Sequence, residues 1–404
     1  MTAEHNILGQ VALGYSPMVD RHRAITALRL TVFPAAADAR PDAPALLAML
    51  AQAWPAEAGR LSLNIASEDL LQQVLQADLP PHLMLEVPAF MASHLAHADA
   101  LQALHGRGTT LLIKGRPTAP LSREVLPCFA YSIIDLADER RDGLPPPGGV
   151  SRNIPHVQAG VRTVAEMAEA FSRGAIAVLG WPIETGELPT GAAPAGRLRQ
   201  PQAAISTIVE LINRVDRAES IDRLEAVMRN DPTLAFRLMR YLNSPAFGLR
   251  VEITSFAHAI MMLGYQRLKR WLALLLASGT GDPTHKPLVY AAVRRGLLME
   301  ELGRDSGADD AQRGDMFVCG VFSLLDRMLQ QPFTQLLDTI PTSDAVRQAL
   351  QQDSGPYKPS LDLVRAIESA SVYDIRASAD ALLMGVGAVN RAVLRALANA
   401  RALD

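Results

Sequence analysis

The stretch RNDPTLAFRLMRYLNSPAFG, Arg229 to Gly248, combines several chemistry-capable side chains. An acid, an Asn-Ser pair and several arginines in twenty residues could hold a metal or an acidic ligand. Elementary helix chemistry accounts for much of it. Asp231 followed by Pro232 reads as a helix start: a capping carboxylate, then Pro where the free N–H is not needed. Asn243 and Ser244 stand before Pro245, where the chain leaves the helix, and Gly248 closes the turn. Arg237 and Arg240 lie three apart and share one helix face, a candidate docking surface for an acidic partner. Other chemistry is sparse. Cys128 and Cys319 are far apart and lack the CxxC or Cys/His partners that zinc requires. There is no Gly-x-Ser-x-Gly elbow, and RGTTLLIKG and GDPTHKP do not form a phosphate loop before a helix. Glu300–Glu301 and Asp309–Asp310 read as solvated acidic positions.

The chain has 404 residues, enough for two or three domains, with 49% hydrophobic and 20% charged residues. A formal net charge of -3 leaves no bulk basic field, and no aromatic residues interleave with the basic ones, so nucleic acid is not an expected partner. Two separated cysteines suit a reduced, cytoplasmic chain. The N-terminus lacks the pattern of a signal peptide, and the most apolar run, WLALLLASG from Trp271, is too short to span a bilayer.

Two halves follow from the patterning. The first alternates β-rich runs with helical ones. Strands are expected at Gln10–Tyr15, Ala24–Phe33, Leu61–Ala66, Leu83–Pro88, Thr109–Lys114, Phe129–Leu136, Ile154–Ala159 and Ala175–Gly180. Helical stretches at Pro44–Trp54, Glu68–Ala77, Met91–His105 and Val164–Ser172 separate most of them. The first two strands, joined by SPMVDRHR, read as a hairpin, and the later six as parallel βαβ units. Eight such strands imply a (β/α)8-like barrel over 1–185 with trimmed helices, short where DERRDGLPPPGGVSRN leaves no room for a long one. A Gly/Pro/Ala-rich linker follows at 186–200. From 201 to 404 the pattern is all-helical: Ile205, Ile208, Leu211 and Ile212 form one stripe, Leu224, Val227 and Met228 the next, with Ser220 as an expected N-cap between them.

The order and spacing of the first-half strands resemble the EAL domain, a barrel that hydrolyses cyclic di-GMP with two divalent cations. GYSPMVDRHRAITALRLTVF resembles the start of that domain, and the likeness covers about residues 8–185. It implies a ligand set of acids and amides at strand ends. Asn64 in LNIAS, Glu86 in LEVP and Asp135 in SIIDL match. Arg29 stands at the first Glu position, Lys114 and Gly115 at the paired Asp, Ile133 at the Lys, Ala159 and Arg162 at two further Glu, and Leu179 at the final Gln. Cations therefore replace ligands, and a two-metal centre is not expected.

The second half resembles the HDOD domain, a helical relative of metal-dependent HD phosphohydrolases. Asp231–Pro232, Asn243–Ser244 and Gly248 carry the likeness, as does ITSFAHAIMMLGYQRLKRWLALL with Gly264 and Trp271. The order of the two parts resembles EAL-HDOD signalling proteins of the YuxH type. The chain contains no His-Asp dipeptide, and residues 186–280 hold a single histidine, His258. The resulting expectation is a non-catalytic adaptor in bacterial signalling, without cofactor, that binds other signalling proteins and can pair with itself. Binding of cyclic di-GMP without hydrolysis is the alternative, and residual phosphodiesterase activity a more distant one.

Overall fold

The computed structural model describes residues 3–117, 121–141, 154–184, 202–229, 256–278, 286–340 and 342–401. The linker 186–200 and the positions Asp231, Pro232, Arg237, Arg240, Asn243, Ser244 and Gly248 lie outside them. By compactness the chain divides into two units, Met1–Thr185 with Asp362–Leu394, and Gly186–Leu361 with Arg395–Asp404. In this grouping 362–394 belong with the first unit.

The first unit is built on a closed barrel of eight strands in sequence order: β1 Val11–Asp20, β2 Ile25–Pro34, β3 Leu61–Ile65, β4 Leu83–Pro88, β5 Thr110–Lys114, β6 Phe129–Asp135, β7 His156–Thr163 and β8 Ala177–Glu184. β1 runs antiparallel to both β2 and β8, and every other neighbouring pair is parallel. The period of two decides which side chains fill the barrel. Met84, Leu112, Ile133, Val157, Ala159, Ala177 and Leu179 form one buried cluster with Met18 and Ala27. Leu61, Leu63, Leu85, Leu111 and Val178 alternate with them and are also buried, as both faces of a barrel strand must be.

Helices cap and cover the strands for local reasons. Ser67 accepts from Leu70 N to start Glu68–Leu75, and Thr163 with Glu166 makes a capping box before Val164–Ser172. The expected helix Met91–His105 is instead a short turn Ala89–Ala92, a 3-10 turn Leu95–His97 and a helix Ala98–Gly106. Strand β1 runs on through Ser16–Asp20, part of the expected connection, because it pairs with β2 along nearly its whole length.

Residues 362–394 hold β1 from outside. Asn390, fully buried, accepts from Leu13 N at 3.1 Å and donates to Leu8 O at 2.7 Å and Val11 O at 2.6 Å. Trp181 Nε1 donates to the carbonyls of Tyr15 and Glu368, with its ring edge-on to Tyr15.

In the second unit the helix Gln202–Asp216 buries Ile208, Leu211, Ile212 and Val215, and Ile221–Arg229 begins directly after Ser220. The long element Phe256–Ser278 breaks at Gly264, whose backbone sits at φ 70°, ψ 167°, a region open essentially to glycine alone. Tyr265 then donates its hydroxyl to Glu219 O. The helices Lys286–Asp305 and Asp310–Phe322 pack side by side. Glu301 overturns its reading as a solvated acid: it is 1% exposed and accepts from Arg395 Nε at 2.7 Å and Asn399 Nδ2 at 3.1 Å. Asp309 caps the helix Asp310–Phe322.

Among the described residues no single helix is long and apolar enough to cross a membrane; one pair bent by 105°, Val372–Ala381 with Val386–Ala400, meets the length and composition only jointly.

Two outcomes follow. Replacing Asn390 by Leu leaves three buried main-chain groups of 8–13 unpaired, so chemical denaturation should show the first unit losing about 2–4 kcal/mol. Replacing Gly264 by Ala meets no atom within 4 Å, so the cost is backbone strain alone, about 1–3 kcal/mol, read as a lower midpoint for the second unit.

Candidate functional site

Four neighbouring strands project polar side chains into one end of the barrel, above the apolar cluster. From β2 come Arg29 and Thr31, from β3 Ser62 and Asn64, from β4 Glu86 and from β5 Lys114. Ser62, Thr31, Asn64 and Glu86 are all buried, Glu86 to 1% exposure. A buried carboxylate needs a counter-charge. Arg29 provides it by reaching across β3: its Nε donates to Glu86 Oε1 at 2.8 Å and its Nη2 to Oε2 at 2.6 Å. This is a two-pronged guanidinium–carboxylate pair, the strongest common geometry for such charges. Ser62 Oγ adds a third bond to Oε1 at 3.0 Å. Strand β3 permits the reach because Ser62, the partner of Arg29 in register, is small.

A second group adjoins the first. Lys114 Nζ donates to Asn64 Oδ1 at 2.6 Å, and Asn64 Nδ2 donates to Thr31 Oγ1 at 3.2 Å. Burial pushes the Lys114 ammonium below its ordinary value; the Glu86 charge opposes that shift and the Arg29 charge adds to it. A cavity of about 530 Å³ opens beside Arg29, Lys114, Gly115, Ile133, Asp135 and Ala159.

The remaining expected positions are accounted for by structure. Asp135 Oδ1 accepts from Ala137 N at 2.8 Å, the geometry of a cap at the start of Leu136–Arg141. Gly160, at φ 78°, makes room for it: a Cβ there would stand 2.8 Å from Asp135 Oδ1. Ile133, Ala159 and Leu179 are packed in the barrel's apolar cluster, and Arg162 is exposed at the end of β7. Ser62 and Thr31 were missed by the sequence reading, although the alternation that places Asn64 and Arg29 inside places them there too.

The residues do not fit a pair of divalent cations. Both oxygens of Glu86 are engaged by a guanidinium, Asn64 Oδ1 by an ammonium, and Ala159 and Ile133 offer no donor. No group of three or more His, Cys, Asp or Glu side chains converges among the described residues.

In the second unit Trp271 is buried, and two basic residues beside it are already committed. Lys269 Nζ meets Asp216 Oδ1 at 2.7 Å. Arg270 meets Glu300 Oε1 at 2.7 Å and lies over the Phe317 ring at 4.1 Å. Arg267 is exposed.

Residues 198–342 match the HDOD domain. Over 164 residues the chain is 30% identical to YuxH of Bacillus subtilis (strain 168), covering 40% of each protein. Over 148 residues it is 30% identical to the cyclic di-GMP phosphodiesterase CdgJ of Vibrio cholerae serotype O1, covering 37% of this chain and 34% of that one. The match thus spans well under half the length of these relatives. Among solved structures, the PaMucR phosphodiesterase in complex with c-di-GMP aligns with 44% of this chain and 91% of its own, at 18% identity and a TM-score of 0.31. The chain carries an HDOD domain at residues 198–342, in one polypeptide with a closed eight-stranded barrel.

Proposed function

We propose that the chain is a non-catalytic signalling adaptor of EAL-HDOD organisation, acting in the bacterial cytoplasm through protein–protein contacts. The observation that carries this reading is the Arg29–Glu86 pair. Metal-dependent phosphodiester hydrolysis needs carboxylate oxygens free to hold cations and a water polarised between them. Here the central carboxylate is saturated by a side-chain cation and Ser62. A guanidinium has no open coordination position and does not deprotonate, so it can neither bind nor activate a water nucleophile. The HDOD part supports the same reading, since the sequence has no His-Asp pair to found an HD-type metal centre.

One feature favours binding of cyclic di-GMP without hydrolysis as the second reading: Lys114 lines the cavity and its ammonium is bonded to the Asn64 amide, while Asp135 and Asp138 on the same wall oppose an anion. Calorimetry with the dinucleotide separates the two readings.

Incubated with Mg²⁺ or Mn²⁺, the purified protein should leave cyclic di-GMP intact over hours; turnover at an enzyme-like rate would sink the adaptor reading. Its docking surface is proposed to be the Arg237/Arg240 face of the HDOD domain. Reversing both charges to Glu should abolish recovery of the signalling partner in pull-downs from the native bacterium, and undiminished recovery would remove that face from consideration.

A further inference from the structure

We infer that the cavity beside Lys114 is a binding site for a small diamino carboxylic acid, with the ligand's carboxylate on Lys114 and Arg29 and its two cationic groups on Asp135 and Asp138. The adaptor reading does not require such a ligand, and the site does not require that reading.

The cavity holds about 530 Å³, within the range of small-molecule sites, and both signs of charge line it. On the cationic side, Glu86 engages Nε and Nη2 of Arg29, which leaves Nη1 outside that pair. Lys114 commits one ammonium donor to Asn64 Oδ1 and keeps others. A guanidinium nitrogen beside an ammonium suits a carboxylate. The acidic side follows from the register. Lys114 pairs with Ile133, so Asp135 stands one inward step further along β6, and Asp138 follows on the helix Leu136–Arg141. Ala137 N takes Asp135 Oδ1 and leaves Oδ2 for a ligand, while Asp138 is exposed. Ile133 and Ala159 give the cavity an apolar wall, against which a chain of methylenes can lie. A Cβ on Gly115 would meet no atom within 4 Å, so the cavity is open on that side.

Counting formal charges selects the ligand. Arg29 and Glu86 cancel, and Lys114 stands alone against two aspartates, so the lining carries one net negative charge. Its complement has one carboxylate, two cationic groups and an apolar spacer. A dianion meets a lining of its own sign. A diamine leaves Lys114 unmatched, and a monoamino acid leaves one aspartate unmatched.

The test titrates the full chain by calorimetry with three probes: L-lysine, cadaverine, which lacks the carboxylate, and L-norleucine, which lacks the side-chain ammonium. L-Lysine should bind saturably and at least about 10-fold more tightly than either of the others. Asp138→Asn changes an exposed side chain, so the variant should fold as the wild type does. It should weaken L-lysine by roughly 5- to 10-fold. Lys114→Met should weaken L-lysine to a similar degree and leave cadaverine unchanged. If Lys114→Met does not fold, Asp138→Asn alone decides. Absence of saturable binding up to roughly 10 mM L-lysine overturns the inference. Equal affinity for the three probes, or an L-lysine affinity that Asp138→Asn leaves unchanged, overturns it too. These outcomes are separate from the turnover assay: hydrolysis of cyclic di-GMP strikes the adaptor reading, and a protein silent to L-lysine strikes this inference alone.

Discussion

A carboxylate inside a closed barrel sets the terms for everything around it. Glu86 cannot be left uncompensated, and the elements that compensate it are spread over three other strands: the Arg29 fork from β2, the Ser62 hydroxyl from β3 and the Lys114 charge from β5. The strand order brings them together: β2, β3, β4 and β5 are consecutive neighbours, and Arg29 passes over β3 to reach β4. Breaking such a buried pair from one side is far more damaging than never having built it. The barrel interior is thus two layers with different rules. The apolar cluster below is satisfied by volume, and the polar layer above by charge and hydrogen-bond count.

Closure itself depends on β1, the strand that runs against the rest. A parallel barrel made only of βαβ units has helices on every outer face. Here β1 enters through a hairpin and has no crossover helix of its own to cover it. The C-terminal stretch 362–394 takes that place, and Asn390 meets three main-chain groups, one at Leu8 just before β1 and two at Val11 and Leu13 within it, that would otherwise be buried without partners. A residue nearly four hundred positions away thereby completes the barrel.

That distance explains what could be read from the sequence and what could not. All eight strands announce themselves by β-branched, apolar runs between helical stretches, because period and composition are local properties. The inward register of Arg29, Asn64, Glu86 and Lys114 is likewise a matter of counting by two. Pairing is not local. Arg29 and Glu86 read separately as a lost ligand and a leftover acid, and nothing in either neighbourhood states that they meet. Glu301 shows the same failure more plainly. In the sequence it is one of two adjacent acids with the look of a solvated face, yet its partners Arg395 and Asn399 lie 94 and 98 residues on, and it is buried. Asp309, whose partner is the backbone three residues along, gave no such difficulty in kind: its role is a cap.

A guanidinium and a divalent cation neutralise a buried carboxylate in chemically different ways. A bound divalent cation does two things at such a site: it neutralises the carboxylates and it presents open positions where water and phosphate oxygens are polarised. A guanidinium does the first and not the second. It is planar, and at Arg29 the Nε and Nη2 donors are taken up by the carboxylate. It also cannot dissociate, so neutralisation of Glu86 does not depend on metal supply. At Glu86, Arg29 thus supplies the neutralising share of what a metal would do and not the polarising share. Neutralised in this way, Glu86 keeps the polar layer of β2, β3 and β4 tied together without any dissociable ion.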